Sequence, residues 1–160
     1  MYSSQVSSYQ SNIRNAWQAL MLEGGVDAYL AGHIHWYERM YPMTANGTID
    51  TSSVLSNSSY MTNPGVSITH LTNGMAGNIE SHSTLGKNKR LNITAALNMA
   101  DYGFNKVTFN GPDSMKFQFI KGDGSGVGDE VTLMKKGSEN APPYGPPRWS
   151  PPGGWGSWGW

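Results

Sequence analysis

The stretch that decides the fold reads Gly25-Val26-Asp27-Ala28-Tyr29-Leu30-Ala31-Gly32-His33-Ile34-His35-Trp36-Tyr37-Glu38-Arg39. Its residues 26–31 form a short apolar run with one acid, which is typical of a buried strand in an α/β unit. In α/β sheets, ligands bind beyond the carboxyl ends of the strands, and His33 and His35 follow the run at such a position. The stretch therefore predicts an α/β fold with a candidate ligand site at the end of one strand.

The segment before this stretch predicts a helix. Five apolar side chains recur at helical spacing, so they share one stripe that would face the core. Ser7 or Ser8 can cap the start of this helix, and the pair Gly24-Gly25 can end it. A helix followed by a buried strand fits an α/β unit. The residues of the stripe are Tyr9, Ile13, Trp17, Leu20 and Met21.

The segments after the stretch predict a loop region followed by strands. Residues 42–64 are rich in Ser, Thr and Asn and contain Pro and Gly, which is typical of loops. Strands are predicted over residues 66–71, 104–109, 115–120 and 131–134. A turn at residues 110–113 and a glycine-rich connection at residues 121–129 separate the last three strands. The second half of the sequence therefore predicts an antiparallel meander that follows the α/β segment along the chain.

Composition and charge exclude several classes of function. The chain has 160 residues, with 11 Lys and Arg against 11 Asp and Glu, so its formal net charge is zero. This balance argues against binding of nucleic acid or of a membrane surface, because both need an excess of positive charge. No apolar run reaches the about 18–20 residues that span a bilayer, and the polar start predicts no signal peptide in this chain. Cysteine is absent, which excludes disulfides, thiolate metal ligands and cysteine nucleophiles.

The end of the sequence differs from the rest in composition. Residues 141–160 contain six Pro, five Gly and four of the six Trp of the chain. Such a stretch cannot form helices or sheet ladders. We therefore predict one domain over residues 1–136 and a disordered tail, rich in Pro, Gly and Trp, over residues 137–160.

His33 and His35 are the candidate metal ligands. In an extended segment, residues i and i+2 point to one side with Cα atoms about 6.5–7 Å apart, so two imidazoles could hold one ion or one each of a pair. Two imidazoles alone cannot hold a metal pair, because hard cations also need oxygen ligands. None of the available acids stands at a spacing from the two histidines that indicates a shared metal site. Glu38 is expected to pair with a cation such as Arg39. Two surface histidines at a strand end remain the alternative. The acids are Asp27, Glu38, Glu80 and Asp101.

Residues 32–39, with the sequence Gly-His-Ile-His-Trp-Tyr-Glu-Arg, resemble the GHxHxYER block of the purple acid phosphatases, within the calcineurin-like metallophosphoesterases. Residues 25–31 resemble the strand that leads into this block, and residues 73–80 resemble the family's Gly-Asn loop, especially in secreted fungal members. Residues 102–104 and the strands after them resemble the closing hairpins, so the resemblance covers residues 1–136. It implies an α/β fold, namely the C-terminal part of a metallophosphoesterase β-sandwich flanked by helices and ending in an antiparallel β-meander.

The resemblance implies an acid phosphatase that hydrolyses phosphate monoesters at a dinuclear metal centre. In the family, the first histidine of the block binds a divalent ion (Zn, Fe or Mn) and the second binds Fe(III), which correspond to His33 and His35. The family's other ligands come from blocks upstream that this sequence does not contain. The implied partner is therefore the missing N-terminal part of the same domain, and the chain alone is expected to be inactive. A different class of function remains open, a non-catalytic β-rich binding module that uses the Trp-rich tail as its contact element.

Other polar and aromatic residues have structural interpretations beside functional ones. His82, in a polar loop, is a low-ranking candidate for a proton donor near a bound phosphate, and otherwise a solvated loop residue. His70 is expected to be a structural histidine within a strand, and Asn78 a turn former. Trp36 and Tyr37 are expected to pack in the interior rather than to contact a substrate.

Three sequons indicate glycosylation. Asn46, Asn57 and Asn92 each stand two residues before Ser or Thr, without an intervening Pro. Together with the resemblance to secreted fungal enzymes, they favour a secreted glycoprotein as the parent enzyme.

Overall fold

The computed structural model of the chain describes residues 1–5, 8–86 and 91–136. The predicted tail at residues 137–160 lies outside the described residues, and the division at residue 136 stays a prediction. In chain order, the elements are α1 (Ser8–Glu23), β1 (Ala28–Ala31), β2 (Tyr37–Met40), β3 (Met43–Thr44), a 3-10 turn (Thr51–Ser53), β4 (Val54–Ser56), β5 (Ser59–Met61), β6 (Ser67–Asn73), β7 (Thr94–Asn98), β8 (Gly103–Phe109), β9 (Ser114–Lys121) and β10 (Val127–Met134).

The strands form two mixed sheets. The first has the order β1-β6-β2-β7, with β3 also paired to β6, and the second has the order β4-β5-β10-β9-β8. The pairs β1–β6 and β5–β10 are parallel, and the other pairs are antiparallel. The α/β class is confirmed, and so is the predicted meander, which consists of β8, β9 and β10.

Strand β6 is the centre of the molecule, because it is buried along nearly its whole length. Successive side chains of a strand point to opposite faces. His70 contacts the ring of Tyr2 on the side of α1, whereas Leu71 packs among side chains of the second sheet. The first sheet therefore lies between α1 and the second sheet. The buried cluster between the sheets contains Tyr60, Leu71, Phe117, Val131 and Leu133.

Helix α1 begins and ends as predicted. At its end, the Gly25 N–H donates to the Leu22 carbonyl and the Val26 N–H to the Met21 carbonyl, with Gly25 at φ +68°. This is the Schellman arrangement, in which the left-handed position favours glycine.

The predicted apolar stripe of α1 is only partly correct. Ile13 and Met21 pack on the core, but Trp17 and Leu20 are 55% and 58% exposed. The helix instead buries Leu22 and Gln18, whose amide donates to the Tyr2 hydroxyl and the Thr44 carbonyl. These hydrogen bonds satisfy a polar group inside the contact face, which the apolar pattern could not indicate.

The first strand lies at an edge of its sheet rather than inside it. Among the described strands, β1 pairs with β6, and Leu30 is 49% exposed. The prediction of a buried strand over residues 26–31 is therefore wrong, since an apolar run looks the same at an edge as in the centre.

The prediction of a loop over residues 42–64 is also wrong, because this region contains β3, β4 and β5. Asp50 organises it by accepting hydrogen bonds from the side chains of Ser52, Ser53, Asn63 and Ser67 at 2.6–2.9 Å. Although burial opposes the effect, these donors hold the pKa of Asp50 well below its usual value. The polar residues whose composition predicted a loop are therefore the hydrogen-bond donors of the buried Asp50 carboxylate.

Strand β7 was not predicted, because its sequence Thr-Ala-Ala-Leu-Asn has no alternating pattern. It forms the outer edge of the first sheet beside β2. Among the described residues, no helix has the length and apolar character needed to cross a membrane.

Candidate functional site

The two candidate histidines lie in the loop of residues 32–36, beyond the carboxyl end of β1 as predicted. Because β1 is parallel to β6 and β2 antiparallel to it, the chain reverses direction within this loop. His33 has φ +73°, a left-handed conformation that residues other than glycine rarely adopt. The prediction of an extended segment is therefore wrong, because the reversal bends the backbone between the strands, while the pairing of the two rings at one metal centre stays a prediction.

Gly74 lies against this histidine loop. A Cβ atom at position 74 would lie 2.2 Å from the Ile34 carbonyl oxygen, and the Gly74 N–H donates to the Trp36 carbonyl at 3.3 Å. Only a residue without a side chain allows the strand end of β6 to approach the loop so closely. The sequence shows a glycine here but gives no sign of which segment it must accommodate.

His35 is held by the segment of residues 78–83. Its backbone N–H donates to the Ser83 hydroxyl, and its carbonyl accepts from the Ser83 N–H. The ring Nδ1 lies 3.2 Å from the Ser81 carbonyl oxygen and 3.1 Å from the Asn78 amide nitrogen, and Nε2 lies 3.4 Å from the Glu80 carboxylate. When Nδ1 donates to the Ser81 carbonyl, Nε2 is the nitrogen that can bind a cation, which is the usual arrangement of metal-ligating histidines, whereas a hydrogen bond from the Asn78 amide to Nδ1 requires the other tautomer. Asn78 thus contacts a candidate ligand as well as turning the chain.

His33 has different surroundings. It is exposed and lines an open groove of about 560 Å³, together with Met1, Tyr2, Ile13 and Tyr29. Among the described residues, the lining of this groove contains no acid. The structure therefore places His33 beside a largely apolar groove and His35 beside a polar segment.

The described residues do not fit a complete dinuclear metal centre. Among them, no group of three or more His, Asp or Glu residues lies close enough to hold a metal ion. Of the four candidate acids, Glu80 is beside His35, whereas Asp101 pairs with Lys121 at 3.0 Å. Asp27 lies before β1, at the end opposite to the histidine loop.

Glu38 is buried and contributes to structure rather than to a metal site. Its carboxylate accepts hydrogen bonds from the Ser3 hydroxyl, the Ser4 N–H and hydroxyl, the Trp36 indole N–H and the Thr94 hydroxyl. The expected pairing with Arg39 is wrong, because neighbours in a strand point to opposite faces. Trp36 is completely buried, as predicted.

Arg39 joins the two sheets. Its guanidinium binds the Asp129 carboxylate in β10 through Nε at 2.7 Å and Nη2 at 2.9 Å, and it also donates to the Tyr60 hydroxyl. Tyr37 donates to the same carboxylate at 2.7 Å, and burial together with the charge of Asp129 raises the pKa of Tyr37 well above its usual value. Tyr37 is therefore an interior residue, as predicted.

The other two histidines have structural contacts. His70 is buried beside Tyr2 and Tyr29, its Nδ1 lies 2.9 Å from the Ile68 carbonyl oxygen, and burial lowers its pKa to about 3. The interpretation of His70 as structural is confirmed. In His82, Nε2 lies 2.7 Å from the Ala100 carbonyl oxygen and the ring packs edge-on against Tyr102.

The three sequon asparagines, Asn46, Asn57 and Asn92, are all exposed. Their side chains are therefore accessible to a modifying enzyme, while their glycosylation stays a prediction.

Comparisons with known proteins agree with this fold. Residues 67–130 match the family described as iron/zinc purple acid phosphatase-like protein C. An acid phosphatase from Aspergillus ficuum is 54% identical over 136 residues, which are 84% of this chain and 22% of that protein. Acid phosphatase A from Cryphonectria parasitica is 31% identical over 134 residues, which are 81% of this chain and 24% of that protein.

A solved structure shows the fold independently. The purple acid phosphatase from yellow lupin seeds (Lupinus luteus) superimposes with a TM-score of 0.54 and 21% identity, over 77% of this chain and 19% of that one. The two mixed sheets therefore have the fold of the matched part of that structure. The chain is similar to the C-terminal region of the purple acid phosphatases, a family of hydrolases. It spans about a quarter or less of the length of the curated relatives it matches, 22% and 24%.

Proposed function

We propose that this chain is the C-terminal part of an acid phosphatase that hydrolyses phosphate monoesters, and that His33 and His35 are two ligands of its dinuclear centre. The position of His35 carries the proposal, because its ring lies beyond the end of β1 with Nδ1 beside a carbonyl and Nε2 turned to a carboxylate. In such a centre, Fe(III) and a divalent ion (Zn, Fe or Mn) supply Lewis acidity toward a phosphate ester. In this chain, the contacts of His35 with Asn78, Ser81 and Ser83 orient its imidazole.

The remaining ligands would come from another part of a longer protein. The described residues bring no third ligand to His33 and His35, and both curated relatives are more than four times longer than the matched region. The exposed side chains of Trp17, Leu20 and Leu30, and the free edge of β1 among the described strands, support a contact with that part. The isolated chain is then inactive, because an incomplete ligand set cannot hold the metal pair.

His82 is proposed as the proton donor to the leaving group, since it lies within the segment of residues 78–83 that holds His35. Its Nε2 faces the Ala100 carbonyl oxygen, which fixes the ring. The three exposed sequons support secretion of the whole protein as a glycoprotein. No observation favours a non-catalytic binding module, because both curated relatives are named as phosphatases.

A hybrid enzyme tests the proposal. In the Aspergillus ficuum acid phosphatase, the 136 matched residues are replaced by those of this chain, and hydrolysis of p-nitrophenyl phosphate and bound metal are measured. We expect an active hybrid, in which His33→Asn and His35→Asn each lower metal content and kcat/KM by more than about tenfold, since even outer-shell partners contribute that much.

The control is Lys106→Gln, an exposed change in β8 that should leave both quantities unchanged. An active hybrid that keeps its metal and its rate after His35→Asn would refute the assignment. If this chain alone hydrolysed the substrate with metal bound, that result would refute the proposal that another part of the protein supplies the remaining metal ligands.

A further inference from the structure

The sequence contains three Asn-Gly pairs, and the structure gives them different surroundings. They are Asn46-Gly47, Asn73-Gly74 and Asn110-Gly111. Such a pair is chemically labile, because the backbone nitrogen of the glycine can attack the side-chain carbonyl carbon of the asparagine and no Cβ atom obstructs the approach. In a folded chain, the hydrogen bonds of the pair must open before this attack can occur.

The pair Asn73-Gly74 is held at both reacting groups. The Asn73 amide nitrogen donates to the Asn105 side-chain oxygen at 3.0 Å, and the Asn73 amide oxygen accepts from the Met75 N–H at 3.0 Å. The Gly74 N–H donates to the Trp36 carbonyl at 3.3 Å. The amide group and the glycine nitrogen therefore cannot approach each other without the loss of several hydrogen bonds.

The pair Asn46-Gly47 is held at one reacting group. Asn46 is exposed, but the Gly47 N–H donates to the Thr44 carbonyl at 3.0 Å. This hydrogen bond engages the proton that the nitrogen must lose and fixes the nitrogen in its turn. One hydrogen bond must therefore break before this pair can react.

The pair Asn110-Gly111 lacks both restraints. It lies in the exposed turn between β8 and β9, where Gly111 has φ +74°. The backbone of Asn110 contacts Ser114, whereas neither the Asn110 side-chain amide nor the Gly111 N–H has a hydrogen-bond partner within residues 1–5, 8–86 and 91–136. A Cβ atom at position 111 would meet nothing within 4 Å. Both reacting groups are therefore accessible and unrestrained in the folded chain.

We propose that Asn110 is the site at which the folded chain deamidates. The Gly111 nitrogen forms a bond to the Asn110 Cγ atom, and the bond between Cγ and Nδ2 breaks. The proton of the Gly111 nitrogen passes through water to the leaving nitrogen, which departs as ammonia and leaves a succinimide ring. Water then opens the ring at either carbonyl carbon, which gives aspartate or isoaspartate at position 110. Water is the single co-reactant.

The modification changes the turn between β8 and β9 in charge and in length. Either product adds one negative charge to a chain whose formal net charge is zero. In isoaspartate, the main chain runs through the former side chain and is one methylene longer. The change falls where the Asn110 N–H donates to the Ser114 carbonyl at 2.9 Å, a hydrogen bond that closes the turn. Deamidation therefore alters the connection between the two strands.

Peptide mapping of the full chain tests the proposal. The protein is made without glycans, so that Asn46 keeps a free amide, and is incubated at mildly alkaline pH in water enriched in heavy oxygen. Each succinimide that opens during the incubation takes up one heavy oxygen atom, and fragment mass spectra locate it. We expect Asn110 to acquire the label at least about fivefold faster than Asn46 or Asn73, because the loss of one hydrogen bond slows each of the others by about that factor.

The same chain unfolded in urea is the matched control. There the three pairs lose their hydrogen bonds and should react at similar rates. Asn110→Gln, whose longer side chain would have to close a larger ring, should remove the label from its peptide in the folded protein. Equal labelling of the three asparagines in the folded chain would overturn the proposal. So would label that persists in Asn110→Gln, or a preference for Asn110 that is unchanged in urea, since the local sequence rather than the fold would then cause it.

Discussion

At the scale of single residues, Glu38 is the most consequential acid of the chain. Its carboxylate faces only donors, from Ser3, Ser4, Trp36 and Thr94. In Glu38→Gln, the side chain loses the charge that these donors stabilise, and its amide nitrogen at either oxygen position faces the Ser4 backbone N–H, which cannot accept a hydrogen bond. We expect the free energy of unfolding to fall by about 2–3 kcal/mol, measured by urea denaturation with Trp fluorescence.

Glu80→Gln is the matched control for Glu38→Gln. The Glu80 side chain is 75% exposed, so the same chemical change in water should alter the free energy of unfolding by less than about 0.5 kcal/mol. Equal losses in the two variants would show that the buried network is not the source of the stability.

His70 makes the stability depend on pH in the acidic range. Its pKa is about 3 in the folded chain because of burial, against about 6.5 in the unfolded chain. Between these values the unfolded state binds the extra proton, so the free energy of unfolding falls as pH decreases from about 6.5 toward 3, by up to about 1.4 kcal/mol per pH unit. In His70→Asn, whose amide can replace Nδ1 at the Ile68 carbonyl, this slope should disappear. Urea denaturation at pH 7, 6, 5 and 4 measures it, and parallel curves for the two proteins would contradict the assignment.

The sequence predicted individual residues well where one property decides the outcome. Trp36 and Tyr37 are large and apolar enough that interior packing follows from their type. The partner of Glu38 could not be predicted, because Ser3, Ser4 and Thr94 are distant in sequence and have no distinctive pattern. For the same reason, nothing in the sequence pointed from Arg39 to Asp129.

At the scale of elements, the contact between β2 and β10 contains a buried ion pair, Arg39 with Asp129. Arg39 is completely buried, and the Asp129 side chain is 15% exposed. In Asp129→Asn, the buried guanidinium loses its counter-charge, and we expect the free energy of unfolding to fall by about 3–5 kcal/mol. The neighbouring change Glu130→Gln is the control, since Glu130 pairs at the surface with Lys116 and should contribute less than about 1 kcal/mol. A loss in Asp129→Asn no larger than that in Glu130→Gln would contradict this account.

A strand could be predicted where its own residues have a recognisable pattern. The position of that strand within its sheet could not, because it depends on contacts with segments distant in sequence. β6, β8, β9 and β10 contain β-branched and aromatic runs, so their predicted ranges agree with the structure within a few residues. The short strands β4 and β5 were missed because their polar residues resemble a loop. The histidine loop was placed correctly but given the wrong shape, because its reversal follows from the pairing of β1 and β2 on either side of β6.

At the scale of the whole molecule, β1 lies at the edge of its sheet among the described strands. The histidine loop lies at its carboxyl end, and Asp27 stands directly before its start. Between them, the outer edge of β1 has no strand beside it among the described residues. An unpaired edge with apolar side chains is a template for pairing with another chain. If the rest of a longer protein covers this edge, the isolated chain should associate through it.

Leu30 and Val66 allow a matched test of that association, because they are 49% and 47% exposed. Leu30 lies in the edge strand β1, whereas Val66 lies in the turn before β6, outside the strands. We expect Leu30→Lys to shift the isolated chain toward the monomer in sedimentation velocity, because a charge on the edge opposes strand pairing. Val66→Lys, which adds the same charge outside the strands, should leave the distribution of species unchanged. If both variants shift it equally, net charge rather than the edge of β1 controls the association, and the edge is not the contact with the rest of the domain.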